Sequence, residues 1–503
     1  MARWLAQVDP IGRSMAVYGP LAAADKAVTL ARVVLLTWVL SPAQFGAWGL
    51  GVMVFSVLAP VLVLGADEAV GRYLSYYQVR GRLREMFDRT SGGVAVVAVV
   101  LAAAAALCSG PIARALGTVP RVGADVPAAG MRAIVLLGVL NALLMGLFHV
   151  LQGCLRAMRT LRLLGVLNLG YTLAFTTLAL GWGALRPTGR TVLWAHAAAL
   201  AAFLAVGWLA ARRLVAGPQD WPAEGSPDGG PAGGVMGKLI RFGSVAMLAG
   251  LAWQGGGHVT TWFIHRYHGS DVLGVYMPLR QICQPIWILS TIIWPVVFAY
   301  VAVRWESGRR DGALGLLNGA YKLTVLGLMT LSVLVLAAAP LWGRALGGGY
   351  RVDVPVVAGL LMFFQCSANL GMAAMAAKLN ERPVAAVIIV AAGAAANVLL
   401  AAAWVPAGGD AAAGVAGGAR AAGVGMLLAC AAGSAYLAAS RFRAHPAVYV
   451  LSVSPALLLL PVPLAAGAWA AVLAVAALTP WVLTARERQA VRESLRRAPS
   501  ADS

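Results

Sequence analysis

Apolar stretches of about twenty residues recur along this 503-residue chain, and that recurrence leaves few folds open. Crossing the hydrocarbon core of a bilayer takes about 20 mostly apolar residues, with every backbone N–H and C=O satisfied inside the segment. The stretches therefore read as helices. Hydrophobic residues make up 60% of the chain and charged residues 12%, against roughly 45–50% and 25% in soluble domains. A soluble globular enzyme is excluded, and an all-α polytopic membrane protein is expected.

Apolar windows bounded by Gly, Pro and charged residues place about 14 transmembrane helices. They fall near 14–40, 44–71, 91–109, 131–153, 163–184, 191–211, 239–264, 272–303, 314–340, 355–378, 384–405, 421–440, 447–461 and 463–484. The expected organisation is an N-terminal six-helix bundle over 1–214, a Gly/Pro/Asp-rich cytoplasmic linker over 215–237 and a second six-helix bundle over 238–443. Helices 13 and 14 (444–485) and a basic cytoplasmic tail (486–503) follow. Phe45-Gly46-Ala47-Trp48, opening the second span, is echoed by Leu273-Gly274-Val275-Tyr276, opening the eighth. This predicts two pseudo-symmetric bundles related by an axis along the membrane normal.

The net charge of +20 would suggest a nucleic-acid partner if the bases clustered on a wetted surface. Here they sit at helix ends, which speaks against one. Arg80, Arg82, Arg84 and Arg89, and the tail bases Arg486, Arg488, Arg492, Arg496 and Arg497, share one side by parity. The positive-inside rule then puts both termini in the cytoplasm of a cell-membrane protein, with an even number of spans. The opening MARWLAQVDPIGR is too polar for a signal peptide. Five isolated cysteines, with no CxxC pair, read as small buried hydrophobes.

Ionisable groups at bilayer depth cost about 2.5–3.5 kcal/mol each, so those present tend to line polar cavities. In the first span Tyr18, Asp25, Thr29 and Arg32 share a face, with Lys26 a quarter-turn away. An Asp25–Arg32 ion pair would have to bridge about 10.5 Å along the axis, so a cavity lining is favoured. The eighth span carries a second stripe of Tyr276, Arg280, Gln284, Trp287 and Thr291, with Pro285 and Pro295 set to kink it. In the seventh, Trp253-Gln254-Gly255-Gly256-Gly257-His258 predicts a hinge or a close helix approach. Gln254 joins the substrate-facing set, and His258 is a protonatable coupling candidate beside Asp25, Asp67 and Glu68. Pairing of Asp67 and Glu68 with Arg72 is the plainer alternative for those two. Lys322, two to three turns into the ninth span, is placed to snorkel.

Catalytic and nucleotide signals are absent. Gly237-Lys238 lacks the earlier glycine of a P-loop and is followed by Leu239, and no HExxH, nucleophile elbow or metal-spaced His/Cys set occurs. No enzyme activity and no cofactor is expected.

Three stretches resemble the multidrug/oligosaccharidyl-lipid/polysaccharide (MOP) exporter superfamily, and within it the oligosaccharide (O-antigen type) flippases. The first holds Leu30-Ala31-Arg32, Ser41 through Trp48, Leu64-Gly65-Ala66 and Gly71-Arg72-Tyr73-Leu74; the second holds Leu273 through Tyr276, Arg280 and Trp294-Pro295. The third holds Asn380 through Pro383, Asn397-Val398-Leu399-Leu400, Trp404-Val405-Pro406, Ala421-Ala422-Gly423 and Ala431-Ala432-Gly433. The alanine- and glycine-rich stretch 407–419 reads as a lengthened external loop and departs from the superfamily pattern. The resemblance implies a MATE-like pair of bundles around a V-shaped cavity, moving a lipid-linked oligosaccharide across the membrane by alternating access.

A polyprenyl pyrophosphate carries an anionic head suited to guanidinium forks. Arg32 and Arg280, with Lys26, are expected to hold it. Tyr18, Thr29, Tyr276, Gln284, Trp287 and Gln254 would face the sugars, with H+ or Na+ as coupling ion and membrane lipids as surroundings of a monomer. A lipid II flippase and a cation-coupled multidrug exporter of the same superfamily remain as alternatives.

Overall fold

The computed structural model describes residues 11–70, 74, 83–117, 128–158, 160–216, 235–306, 308–380, 382–407, 410–440, 442, 444–485 and 487–489. Its helices are α1 (Ile11–Val39), α2 (Pro42–Leu62), α3 (Leu83–Leu107), α4 (Ser109–Leu116), α5 (Ala128–Ala157), α6 (Leu161–Leu185), α7 (Gly189–Ala216), α8 (Val235–Cys283) and α9 (Pro285–Glu306). There follow α10 (Arg310–Ala337), α11 (Ala339–Ala345), α12 (Val354–Asn369), α13 (Gly371–Leu379), α14 (Pro383–Ala407), α15 (Ala411–Ala439), α16 (Pro446–Val453) with a 3₁₀ turn (Ser454–Leu459), and α17 (Val462–Leu478). No strand occurs among the described residues. Nine helical segments among them are long and apolar enough to cross a membrane. The chain is an all-α, multi-pass membrane protein.

The starts of these helices follow from local chemistry. Pro42, Pro383 and Pro446 occupy first helical positions, where a missing N–H costs nothing and φ is already set. Asp410 caps α15 by accepting from the Ala413 amide at 2.7 Å.

Three departures from the sequence expectation change how the chain is read. The second span, expected to run to 71, stops at Leu62, and Leu64 (φ 49°) and Gly65 (φ 65°) turn the chain left-handed. A Cβ at Gly65 would run into the Gly243 carbonyl, so this position needs glycine. Of the two alternatives expected at 255–257, a hinge or a close helix approach, the hinge does not form: α8 continues helically through those glycines and breaks at Gly269 (φ 84°, ψ −179°), a conformation essentially confined to glycine. Residues 411–419, expected as loop, are helical, since α15 begins at Ala411. Alanine is the strongest helix former, and Gly417 is there for packing: its Cβ would lie 2.9 Å from the Trp404 carbonyl oxygen. Arg420 is therefore a helical residue.

Packing divides the chain into two compact units, Met1–Pro278 with Ala345–Arg351, and Leu279–Arg344 with Val352–Ser503. In the first unit α2 packs chiefly on α5, α1 on α6, and α7 on both α5 and α6. The short piece Ala345–Arg351 is sewn to the α1–α2 junction. Trp38 Nε1 donates to the Ala345 carbonyl at 2.9 Å, the Gly347 amide to Thr37 Oγ1 at 3.0 Å, and Tyr350 Oη to the Leu40 carbonyl at 2.9 Å. The echoed glycines of the second and eighth spans meet in this unit: a Cβ on Gly46 would strike the Ser270 carbonyl, and one on Gly274 the Pro42 carbonyl. Helix axes come that close only where side chains are missing.

In the second unit α12 is central, and 89% of the α12–α13 span is buried against 22% for α14. Small residues let α15 close on both, since a Cβ on Gly359 would lie 2.6 Å from Ala419 C and one on Gly425 2.8 Å from the Asn397 amide. Lys322, expected to snorkel, is instead 1% exposed, with Nζ 2.6 Å from Glu487 Oε2.

Candidate functional site

The polar face of α1 is buried where bilayer depth makes burial costly, with Asp25 6% and Arg32 8% exposed. Asp25 lies within electrostatic reach of Arg32, but among the described residues its ion pair is made elsewhere. Its Oδ2 pairs with Lys26 Nζ at 2.6 Å, and its Oδ1 accepts a short bond from the Thr172 hydroxyl of α6. Thr29 spends its hydroxyl on the Asp25 carbonyl at 2.9 Å, so it belongs to the helix more than to a cavity wall. Tyr18 packs half-buried near the foot of the same helix.

Arg32 lies with its guanidinium carbon 4.2 Å from the centre of the Phe175 ring, a cation–π contact. Among the described residues, no hydrogen-bond partner reaches its Nε or Nη1. Phase and spacing placed Arg32 on a polar face, but the groups that surround it come from other helices. Phe175 packs edge-on against His196 at 4.7 Å, and His196 stacks on Phe55 at 4.9 Å. His196 Nδ1 lies 2.7 Å from Asn141 Oδ1, while the Asn141 amide donates to the Leu137 and Leu193 carbonyls at 2.8 and 3.1 Å. With the amide so engaged, Asn141 Oδ1 is the acceptor and His196 carries its proton on Nδ1. Sequence reasoning passed over Asn141, Thr172, Phe175 and His196. Two were legible, since an Asn and a His inside otherwise apolar spans are the same signal that drew attention to Asp25.

The remaining first-unit candidates lie on α8 or after α2. Tyr276 and His258 are 1% and 3% exposed, and Gln254 is half-buried. Asp67 follows the Leu64–Gly65 turn, half-buried and within electrostatic reach of His149 on α5, while Glu68 is exposed. Their suggested partner Arg72 falls outside the described residues.

In the second unit Arg280 is 4% exposed and lies 5.8 Å from the Phe364 ring centre. The helix breaks just after it, at Gln284, and α9 restarts at Pro285, as proline dictates. Gln284 and Trp287 flank that break half-buried. In the same unit a buried polar ladder links α10 to α12: Ser332 Oγ donates to Gln365 Oε1 and Gln365 Nε2 to Asn369 Oδ1, both at 3.1 Å. Among the described residues no three His, Cys, Asp or Glu side chains gather as a metal site.

Neither a protein-family model nor a curated protein sequence matches the chain. Solved structures do. An inward-facing multidrug-resistance MATE family transporter of the MOP superfamily aligns over 82% of this chain and 96% of its own, at 14% identity and TM-score 0.57. The lipid II flippase MurJ, in an inward closed conformation, aligns over 88% and 91%, at 10% identity and TM-score 0.60. This is the MATE and MurJ fold. The MATE transporter ClbM in complex with Rb+ aligns over 90% and 96%, at 14% identity and TM-score 0.52. At such identities the likeness carries the helical architecture of MATE and MurJ proteins and no residue roles. What the buried arginines do has to be argued from their own surroundings.

Proposed function

We propose that the chain is a flippase that moves a polyprenyl-pyrophosphate-linked oligosaccharide across the cell membrane by alternating access, for surface polysaccharide export. The observation that carries this reading is Arg32, a buried cation over an aromatic ring with two donor nitrogens unspent and its neighbouring carboxylate engaged elsewhere. A permanently charged, bidentate donor held in that state suits a phosphate better than a neutral or cationic cargo. Arg280, a second buried guanidinium, is assigned the same preference for a phosphate. Lys26 holds Asp25 rather than substrate, and Tyr18, Tyr276, Gln254, Gln284 and Trp287 serve the sugar portion. Asp25, bridging Lys26 and Thr172, is the leading coupling group, taking H+ or Na+ when its lysine is displaced. The chain works as a monomer, without cofactor or catalytic step, and with both termini in the cytoplasm.

A lipid II flippase would use the same pyrophosphate chemistry, and the likeness to MurJ keeps that cargo in view. The test is flipping of a fluorescent polyprenyl-pyrophosphate glycan by the purified chain in vesicles. Losing charge-assisted hydrogen bonds worth about 1.5–3 kcal/mol predicts a drop of roughly ten- to a hundredfold for Arg32→Ala and for Arg280→Ala, with partial activity in Arg32→Lys. Full flipping by both alanine variants rejects the reading; flipping of a peptidoglycan precursor in place of the glycan selects the MurJ-like cargo.

A further inference from the structure

A groove of about 720 Å³ opens on the outside of the first unit between α5, α6 and α7. Its mouth lies at the α6–α7 turn, where Trp182 and Trp194 stand 40% and 53% exposed and Arg186 ends the wall. Its floor is hollowed by alanines of α7, down to Ala201. Ala201 is twelve residues along α7 from Gly189, which at 1.5 Å per residue is about 18 Å, close to half of the ~30 Å hydrocarbon core. The groove is therefore about one leaflet deep, apolar below, and ringed at the top by amphipathic indoles of the kind that settle at a membrane interface. Arg186 is exposed, and among the described residues no carboxylate pairs with it.

We infer that this groove holds one acyl chain of an anionic phospholipid, with Arg186 on the headgroup phosphate. The depth fits a chain that enters from one leaflet and stops at the midplane. Arg186, the cation among the residues lining the groove, with Arg190 exposed on the same turn, selects the sign of the head. The inference rests on the groove alone and stands apart from the cargo proposed above.

Native mass spectrometry of the full chain, released from detergent after titration with phosphatidylglycerol or phosphatidylethanolamine of matched chains, tests it. One phosphatidylglycerol is expected to remain at energies that strip other lipids. Ala198→Phe, which fills the groove from α7, and Leu144→Trp, which fills it from α5, are expected to abolish retention. Arg186→Gln is expected to reduce the preference for phosphatidylglycerol about fivefold. Equal retention of the two lipids by the native chain, or retention that survives both filling variants, overturns the assignment.

Discussion

Replacing Glu487 by Gln removes the negative partner of Lys322 while keeping the side chain's size. Lys322 is 1% exposed and its Nζ sits 2.6 Å from Glu487 Oε2, so the substitution strands an ammonium group in the protein interior. Breaking a buried pair in this way costs about 3–5 kcal/mol. Because the Glu487 side chain is 20% exposed and water reaches it, the lower end, about 3 kcal/mol, is expected. A unit of this size loses roughly 2–4 °C per kcal/mol, which puts the melting midpoint about 6–12 °C lower. A thiol-reactive dye can follow the melt in detergent, because Cys154, Cys283, Cys366 and Cys430 are buried until the helices part. The double variant Lys322→Met/Glu487→Gln removes the charge as well as its partner and is expected to recover most of the loss. A shift below about 2 °C in Glu487→Gln, or a double variant as fragile as the single, refutes the reasoning.

The same contact sets an acid limit. Burial acts to raise the Glu487 carboxyl pKa, but the Lys322 ammonium and the Thr484 amide outweigh it and hold the carboxyl below its ordinary value. A depressed carboxylate stabilises the fold fully above the unfolded value, near 4.3, and that contribution disappears as pH falls through the lower folded value. Melting midpoints of the native chain should drop below about pH 4, and those of Glu487→Gln should drop less. Gly274→Ala drives a methyl into the Pro42 carbonyl and should cost about 1–3 kcal/mol, seen as a lowered midpoint, whereas Gly255→Ala should not lower it, because nothing lies within 4 Å of its added carbon and alanine favours a helix interior. Asn141→Leu takes the acceptor from the His196 Nδ1 proton and should cost about 1–3 kcal/mol, with partial recovery in Asn141→Leu/His196→Phe.

The all-α, multi-pass character was legible because each span needs its own run of apolar residues, whatever it packs against; the number of spans was less so, since about 14 were expected and nine segments among the described residues are long and apolar enough to cross. Breaks were less legible, because a glycine marks either a turn or a close approach and composition does not say which. Gly255 stays inside α8 while the single Gly269 turns the chain. The run of alanines and glycines ahead of Arg420 read as loop for the same reason, although α14 lying against it makes its glycines an asset. Within the candidate site, Asp25 and Arg32 showed in the helical phase of α1. That Asp25 is satisfied by Lys26 and Thr172, leaving Arg32 over Phe175 with donors to spare, depends on how α6 docks, and no local pattern encodes it. Lys322 and Glu487 are 165 positions apart and became partners only through tertiary structure. One local hint was present. Thr484 and Glu487 form a capping box, with the Thr484 amide 2.7 Å from Glu487 Oε2 and the Glu487 amide 3.3 Å from Thr484 Oγ1, and the same carboxylate also holds Lys322.

The crossing of Gly46 and Gly274 ties together two stretches that echo each other in the sequence. Each glycine presses on backbone next to its counterpart's own segment, Gly46 on Ser270 and Gly274 on Pro42, so neither can enlarge without displacing the helix that carries the other. Two echoing segments would ordinarily be free to drift apart in sequence, but at this point a change in one is felt at once by its twin. Across a set of related chains, positions 46 and 274 should therefore stay small together or change together, even where the rest of the two halves no longer looks alike.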